Sequence, residues 1–193
     1  LKLQNNQKTK SVSRGTKTKS NMDLKSKIRE IPDFPTKGIS FKDITTLLKD
    51  KEAFRFVIGE MVTEFKDKGI TKVLGIESRG FIAGGVLAYE LNAGFVPVRK
   101  KGKLPAEKIH ETYKLEYGTD TIEMHKDAIL ENDIVLIHDD LLATGGTANA
   151  VYNMVKRIGV KTIYFSFICD LEFIQTPQKE VIQKFNPQIL VKY

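Results

Sequence analysis

The segment from Ile134 to Thr147 constrains the fold more than any other part of this 193-residue chain. It opens on a run of apolar, mostly β-branched residues, which predicts a strand buried on both faces, as in a parallel sheet. Two adjacent carboxylates, Asp139 and Asp140, end the run, and Thr-Gly-Gly-Thr follows at 144–147. Acids at the carboxyl end of such a strand lie where open α/β sheets bind their ligands.

Residues 144–147 combine the groups that bind an oxyanion. Gly145 and Gly146 have no side chain, so their backbone amides can approach an anion closely. The hydroxyls of Thr144 and Thr147 add donors, and the N-terminus of the following predicted helix adds a partial positive charge. Because carboxylates that accept bonds from hydroxyl groups lie one loop away, the segment predicts a site for a sugar phosphate.

Strands and helices alternate along the rest of the chain. Apolar runs predict strands at residues 71–76, 95–99, 134–139, 161–168 and 188–191, with a shorter one at 121–124. Helical spacing predicts helices between Asp50 and Gly69 and at residues 80–91, 148–158 and 178–185, with a short one at 24–29. Residues 31–44 contain three Pro or Gly breakers, so we expect them to be largely irregular. The alternation predicts an α/β fold whose helices cover both faces of a parallel sheet.

Residues 100–120 show little periodicity, so we expect an irregular loop of about 20 residues, a length typical of functional or disordered segments. Its polar and aromatic candidates are Lys100, Lys101, Lys103, Tyr113, Glu116 and Tyr117. A mobile cationic flap here would exclude water from a phosphate site and neutralise a departing anion. A solvated charged loop is the alternative, and the nearby acidic pair favours the flap.

The net charge of +7 is concentrated in residues 1–21. That segment holds six of the 31 lysines and arginines and no acid, which leaves 25 cations against 24 acids in residues 22–193, a net charge of about +1. We expect residues 1–21 to be a disordered basic tail, either an upstream extension before Met22 or a cloning remnant, and residues 22–193 to form one domain. A basic arm for RNA or DNA is the alternative, but we do not expect nucleic acid as a partner.

The single cysteine, Cys169, excludes an internal disulfide and a cysteine-rich metal site, and we expect it to be a small buried residue. The three histidines are too scattered along the chain to predict a metal site. No apolar stretch reaches about 18 residues, so we expect no membrane span and a cytoplasmic location.

The segment 134–147 closely resembles the phosphoribosyl pyrophosphate (PRPP) signature of the type I phosphoribosyltransferases. That signature has four apolar residues, two acids, three variable positions and Thr-Gly-Gly-Thr; here His138 takes the fourth apolar place. Further segments resemble the members of this family that use adenine: residues 32–44, 75–81, 99–105 and 115–118. The resemblance covers roughly residues 24–193. It implies the type I fold, with a small hood and a long flexible catalytic loop.

The resemblance also implies a reaction: adenine and PRPP, accompanied by Mg²⁺ held mainly by PRPP and water, give AMP and pyrophosphate. Asp139 and Asp140 would hold the ribose hydroxyls and, with Arg79, Lys103 and Glu116, take part in catalysis. The residues expected to cradle the 5-phosphate are Ala143, Thr144, Gly145, Gly146 and Thr147. Those expected to bind pyrophosphate are Glu77, Ser78, Arg79, Lys100 and Lys103. Those expected to bind adenine are Ser40, Phe41, Lys42, Leu141 and Tyr117. Glu116 would handle protons on the purine, and a homodimer is implied.

Other interpretations stay open at this point. Phe41 could pack in the core instead of stacking on a base, the two acids could cap a loop, and Glu116 could be a hydrated loop acid. The family often has arginine where Lys42 stands, which matters only if a side chain reads the base there. The chain could use another purine base, or be a catalytically inactive PRPP-sensing regulator.

Overall fold

A seven-stranded sheet forms the centre of the structure, a computed structural model that describes residues 22–34, 37–114 and 118–193. Its order is β5–β6–β4–β3–β7–β8–β9, and a separate antiparallel pair, β1–β2, forms a small second sheet. The strands are β1 (Arg29–Ile31), β2 (Phe41–Asp43), β3 (Lys72–Ile76), β4 (Gly94–Lys100), β5 (Lys108–Lys114), β6 (Thr119–His125), β7 (Ile134–Leu142), β8 (Thr162–Asp170) and β9 (Gln188–Lys192).

Five neighbouring strands of the large sheet are parallel, from β4 through β3, β7 and β8 to β9. Strand β6 runs antiparallel to both β4 and β5. The carboxyl ends of β3 and β7 therefore meet at the same edge of the sheet, and the loops that follow them are neighbours.

Helices cover both faces of this sheet, as predicted. They are α1 (Thr45–Leu48), α2 (Lys51–Phe65), α3 (Gly80–Glu90), α4 (Gly146–Ile158) and α5 (Pro177–Gln183). One buried cluster joins β3 and β7 to α4 and α5 through residues such as Ile137 and Val151. A second joins the opposite face to α2 and α3 through residues such as Leu136 and Leu87. Successive strand residues enter different clusters because side chains alternate between the two faces of a strand.

The helix ends follow their local chemistry. Asp50 caps α2, where its carboxylate accepts hydrogen bonds from the amides of Glu52 and Ala53; such a cap contributes about 1 kcal/mol. Gly159 ends α4 with a φ of 98°, a left-handed conformation that glycine adopts without steric cost. The sequence predicted a helix beginning after Asp50 and another ending at residue 158, in agreement with both positions. Cys169 is fully buried, which confirms its predicted place in the core.

Two local predictions were wrong. Residues 100–120 are not wholly irregular, because they contain β5 and the start of β6, which pair from Lys108↔His125 to Lys114↔Thr119. The predicted helix at 24–29 is only a 3-10 turn at Lys25–Lys27. Residues 31–44 are largely irregular in their described part, as predicted, but Phe41–Asp43 form β2, which pairs with β1. These short, largely polar strands carry weak periodicity of their own, and pairing with a partner strand stabilises them.

Strand β7 is also longer than predicted. It continues past Asp139 to Leu142 because β8 extends alongside it, with Leu141 opposite Cys169 and Leu142 opposite Asp170. The two acids therefore lie within a paired strand, which fixes their orientation. Within the described part of the chain, no helix has the length and apolar character needed to cross a membrane.

Candidate active site

Asp139 and Asp140 lie near the carboxyl end of β7. Asp140 is almost fully buried, whereas Asp139 is partly exposed, and the amide of Asp140 donates to Oδ1 of Asp139 over 2.9 Å. Although the residue keeps some contact with solvent, the protein atoms packed around the Asp139 carboxyl group desolvate it, and with the adjacent carboxylate of Asp140 they raise its pKa well above its usual value. Two acids held this close disfavour full ionisation, so the pair favours a ligand that supplies hydroxyl donors or positive charge.

Arg79 joins this acidic pair to the neighbouring loop. It directly precedes α3, and its Nε lies 2.7 Å from Oδ2 of Asp140. The close approach needs Gly80, because a Cβ there would lie 2.9 Å from the carbonyl oxygen of His138. The peptide bond between Glu77 and Ser78, in the same loop, is cis. Of the three guanidinium nitrogens of Arg79, only Nε makes a hydrogen bond in the described part of the chain, so the terminal nitrogens can bind a second anion.

Glu77 contacts the start of the 100–120 segment. Its carboxylate accepts a 2.9 Å hydrogen bond from the amide of Lys100 and pairs with Arg99 at 3.3 Å. Although burial opposes it, the Lys100 amide and the Arg99 guanidinium hold the pKa of Glu77 below its usual value. The carboxylate of Glu77 therefore stays ionised and ties β4 to the loop that carries Arg79. Its side chain faces protein donors, so an anion at this loop would meet the backbone and Arg79.

The two flap lysines that were predicted to bind pyrophosphate lie near this loop. The Nζ atom of Lys100 is 3.3 Å from Oδ2 of Asp120, on β6. Lys103 is exposed, and its positive charge contributes to the low pKa of Glu77. Glu116 and Tyr117 lie outside the described residues, so their predicted roles stay predictions.

The Thr-Gly-Gly-Thr loop surrounds a cavity of about 80 Å³. The cavity lining includes Asp139, Leu141, Leu142 and every residue from Ala143 to Ala148. Gly145 has a φ of 74° and directly precedes α4, so the loop residues and the helix N-terminus face the same small space. This is the arrangement of amides and helix dipole that binds phosphate groups.

The β5–β6 hairpin contacts that loop. The hydroxyl of Thr147 donates to the Tyr113 hydroxyl over 3.1 Å, and Glu111 pairs with Arg157 of α4 at 2.6 Å. The sequence marked Tyr113 as a flap residue but did not predict these contacts. They join residues 34 and 46 positions apart in the chain.

Phe41 lies beside Arg79 and outside both buried clusters, so its interpretation as a core residue was wrong. Its half-buried ring lies 5.3 Å from the Arg79 guanidinium and meets Phe34 edge-on at a centroid distance of 5.3 Å. Leu141, predicted for the opposite face of a base, is half-buried near the acidic pair and packs against the second core cluster.

Lys42 points away from Phe41 because neighbouring strand residues alternate. Its buried Nζ pairs with Glu30 at 2.6 Å and lies 4.3 Å from the centre of the Tyr193 ring. Ser40 is exposed and its hydroxyl lies 3.4 Å from the Glu30 carboxylate. The side chain of Lys42 therefore anchors β2, and the backbone groups of Lys42, not its side chain, remain to contact the edge of a base.

His138, the departure from the apolar pattern, is fully buried beneath the acids. Burial lowers its pKa to about 4, and its Nδ1 lies 3.1 Å from the carbonyl oxygen of Ser166 on β8. A neutral imidazole that donates to this carbonyl fits a core position. Among the residues that the structure describes, no group of three or more His, Cys, Asp or Glu side chains could hold a metal ion.

The structure thus joins several of the predicted residues through a series of contacts. Phe41 contacts Arg79, Arg79 contacts Asp140, and Asp139 lines the cavity of the Thr-Gly-Gly-Thr loop. Sequence reasoning missed Arg99, which pairs with Glu77. It also missed Thr176 and Lys179, at the start of α5, which contact the Thr-Gly-Gly-Thr loop. The only local signal for the latter was Thr176-Pro177, a typical helix start.

Comparisons with known proteins agree with this arrangement. Residues 43–180 match the phosphoribosyl transferase domain family. The chain is 61% identical over 148 residues to an adenine phosphoribosyltransferase of Phocaeicola vulgatus, covering 77% of this chain and 85% of that protein. The crystal structure of adenine phosphoribosyltransferase from Rhodothermus marinus has a TM-score of 0.81 at 51% identity, covering 88% of this chain and 96% of that one. The enzyme from Giardia lamblia, complexed with 9-deazaadenine, has a TM-score of 0.82 at 41% identity and covers 89% and 96%. The chain belongs to the adenine phosphoribosyltransferase family.

Proposed function

We propose that this protein transfers the phosphoribosyl group of PRPP to adenine, giving AMP and pyrophosphate in purine salvage. The observation that carries the proposal is the acidic pair Asp139–Asp140 beside the cavity lined by residues 143–147. A ribose 5-phosphate needs acceptors for its hydroxyls and donors for its phosphate, and these two groups lie side by side. The solved relative that binds 9-deazaadenine supports a purine as the other substrate.

The reaction forms a bond between N9 of adenine and the anomeric carbon of the ribose, while the bond from that carbon to pyrophosphate breaks. The electron pair of the broken bond leaves with pyrophosphate, and the N9 proton is lost from the base. Positive charge grows on the ribose ring as pyrophosphate leaves. The carboxylates of Asp139 and Asp140 would stabilise that charge and orient the ribose through charge-assisted hydrogen bonds.

Arg79 would bind the departing pyrophosphate. Its Nε stays with Asp140 while the terminal nitrogens bridge two phosphate oxygens, a geometry that a planar guanidinium favours. Lys100 and Lys103 add positive charge from the flap. Phe41 would stack on the adenine ring, Leu141 would contact its other face together with Tyr117, and backbone groups of Ser40 and Lys42 would read its edge.

Glu116 would accept or return the proton on the purine, since an acid enclosed with the base can act as a general acid–base group. Its position lies outside the described residues, so this role rests on the sequence resemblance. Mg²⁺ would accompany PRPP, held by phosphate oxygens and water, and its charge would offset that of the leaving group. Burial and the adjacent Asp140 raise the pKa of Asp139, and a cation carried by PRPP near this pair would favour its ionised form.

Labelled adenine, incubated with PRPP, magnesium and the purified protein, tests the proposal directly, with labelled AMP as the product. Competition by hypoxanthine, guanine and xanthine distinguishes adenine from other bases. Efficient AMP formation with little competition is the expected result. Preferred use of another base would contradict the substrate, and PRPP binding without turnover would indicate a sensor instead of an enzyme.

We also propose a homodimer. Ile82 and Tyr89, seven residues apart on α3, are 45% and 84% exposed, and Phe95 is 38% exposed. Large apolar side chains aligned on one helix face are typical of a protein interface. Sedimentation of the wild type and of Tyr89→Lys, which should weaken the dimer, tests this. We place the reaction in the cytoplasm because PRPP carries several charges, and such groups do not cross a bilayer unaided.

A further inference from the structure

The segment that precedes and begins α5 lies directly behind the loop of residues 143–147. Gly145 has so little space there that a Cβ would lie 2.7 Å from the Cα of Lys179 and 2.9 Å from its amide nitrogen. The loop therefore packs against the backbone of α5 without intervening side chains. Its conformation depends on where this helix is held.

Two backbone carbonyls of the loop region bond to the same segment. The hydroxyl of Thr176 donates to the carbonyl oxygen of Thr144 over 2.5 Å, and the amide of Leu171 donates to that of Leu142 over 3.0 Å. Carbonyl oxygens repel an anion, so a phosphate-binding loop must turn them outward while its amides face the ligand. These two hydrogen bonds direct the carbonyl oxygens of Thr144 and Leu142 towards the segment around α5, which leaves the loop amides to face an anion.

Lys179 fixes the start of α5 in turn. Its side chain is fully buried, and Nζ lies 2.5 Å from Oδ1 of Asp170 and donates to the carbonyl oxygen of Leu171 over 2.6 Å. Thr176 caps the same helix by accepting from the amide of Lys179. Charged groups are rarely buried unless they are paired, and this pair lies immediately behind the loop.

We propose that Lys179, Asp170 and Thr176 are positioning residues that hold the 143–147 loop in the conformation that binds a 5-phosphate. The inference rests on the proposed function for the identity of the ligand. None of the three touches the substrate: Lys179 and Asp170 fix the helix, and Thr176 transmits that position to Thr144. Changes at these three residues would therefore alter the affinity for the 5-phosphate without altering recognition of the base.

The test compares the affinity of the full-length protein for AMP with that for adenosine, measured by titration calorimetry. The two ligands differ only in the 5-phosphate, so the ratio of their Kd values reports on this loop. The variants are Thr176→Val, which keeps the side-chain shape and removes the donor, and the double variant Asp170→Asn with Lys179→Met, which removes both buried charges together. Lys179→Arg keeps the positive charge at this position and tests whether that charge is enough to preserve the AMP preference.

We expect Thr176→Val to reduce the AMP preference about fivefold, the effect of one hydrogen bond of ordinary net strength. The double variant should reduce it at least as much, and Lys179→Arg should retain most of it. The KM for PRPP should rise in parallel while the KM for adenine stays constant.

Two controls separate positioning from general stability. Lys184→Met changes an exposed lysine at the end of the same helix, and Val57→Ala destabilises the core on the opposite face. Both should leave the AMP preference unchanged. If Thr176→Val and the double variant lower Tm as Val57→Ala does but keep the wild-type preference, the residues are only structural and the inference fails.

The wild type distinguishes this failure from failure of the proposed function. A wild type that prefers AMP to adenosine yet makes no AMP from adenine and PRPP would overturn the reaction alone. A wild type with no preference for AMP would overturn both.

Discussion

The Nε atom of Arg79 lies 2.7 Å from Oδ2 of Asp140 and joins a residue predicted to bind pyrophosphate to one predicted to bind ribose. The contact links the loop after β3 to the end of β7, two strands that lie side by side in the sheet. Asp140 is nearly buried and Arg79 is one-third exposed, so the arginine neutralises the acid while keeping access to solvent. The Arg79–Asp140 ion pair therefore couples the predicted pyrophosphate-binding loop to the predicted ribose-binding acids.

Arg79→Ala should weaken PRPP and pyrophosphate roughly tenfold to a hundredfold, because a hydrogen bond to a charged group contributes about 1.5–3 kcal/mol. Adenine should be affected far less. Initial-rate kinetics in both directions measure these constants. Equal losses for adenine and pyrophosphate would contradict the role of Arg79, and Arg99→Ala, which removes the neighbouring arginine, serves as a matched comparison.

Replacing both acids, Asp139→Asn with Asp140→Asn, should reduce turnover by orders of magnitude and leave the fold intact. The amides keep the size of the side chains but lose the negative charge that stabilises the developing cation. Single-turnover rates measure the effect, and circular dichroism checks the fold. Kinetics like those of the wild type would refute the assignment of the acidic pair.

Asp139→Asn should raise thermal stability at neutral pH. Because burial and Asp140 raise the pKa of Asp139, the folded state binds this proton more tightly than the unfolded state. The ionised form therefore costs stability above that pKa, and the cost vanishes as the pH falls towards the ordinary aspartate value of 3.8.

Melting curves of wild type and Asp139→Asn between about pH 4 and about pH 8 check the sign of this linkage. The gain in Tm should be largest at the upper end and shrink towards the lower end. Asp67→Asn, which changes an exposed aspartate of the α2–β3 connection, should show no such gain. A constant difference across the range would argue against the raised pKa.

Gly145→Ala should be more damaging than Gly102→Ala. Both glycines have positive φ values, 74° and 81°, and each substitution costs roughly 1–2 kcal/mol for that conformation. Only at Gly145 does a new Cβ also meet backbone, 2.7 Å from the Cα of Lys179, which adds about 1–3 kcal/mol of overpacking. Denaturant unfolding compares the two variants, and equal losses would show that the loop tolerates displacement.

The parallel sheet and the phosphate loop were predictable because their signals are local. An apolar run at 134–137, two acids at 139–140 and Thr-Gly-Gly-Thr at 144–147 stand close together in the chain, and each residue type restricts the backbone or the chemistry by itself. The β5–β6 hairpin was not predictable in the same way. Its residues from Lys108 to Lys114 are mostly polar, and pairing with β6 and contacts to α4 stabilise them as a strand.

The sequence by itself determined which chemical groups the site contains: two carboxylates, a glycine-threonine loop, an arginine loop and an aromatic residue. Tertiary structure alone decided that Arg79 pairs with Asp140, 61 residues away, and that Thr176 bonds to Thr144, 32 residues away. Local periodicity shows only which face of a helix or strand a residue occupies. These contacts depend instead on the order of strands in the sheet and on where α5 packs.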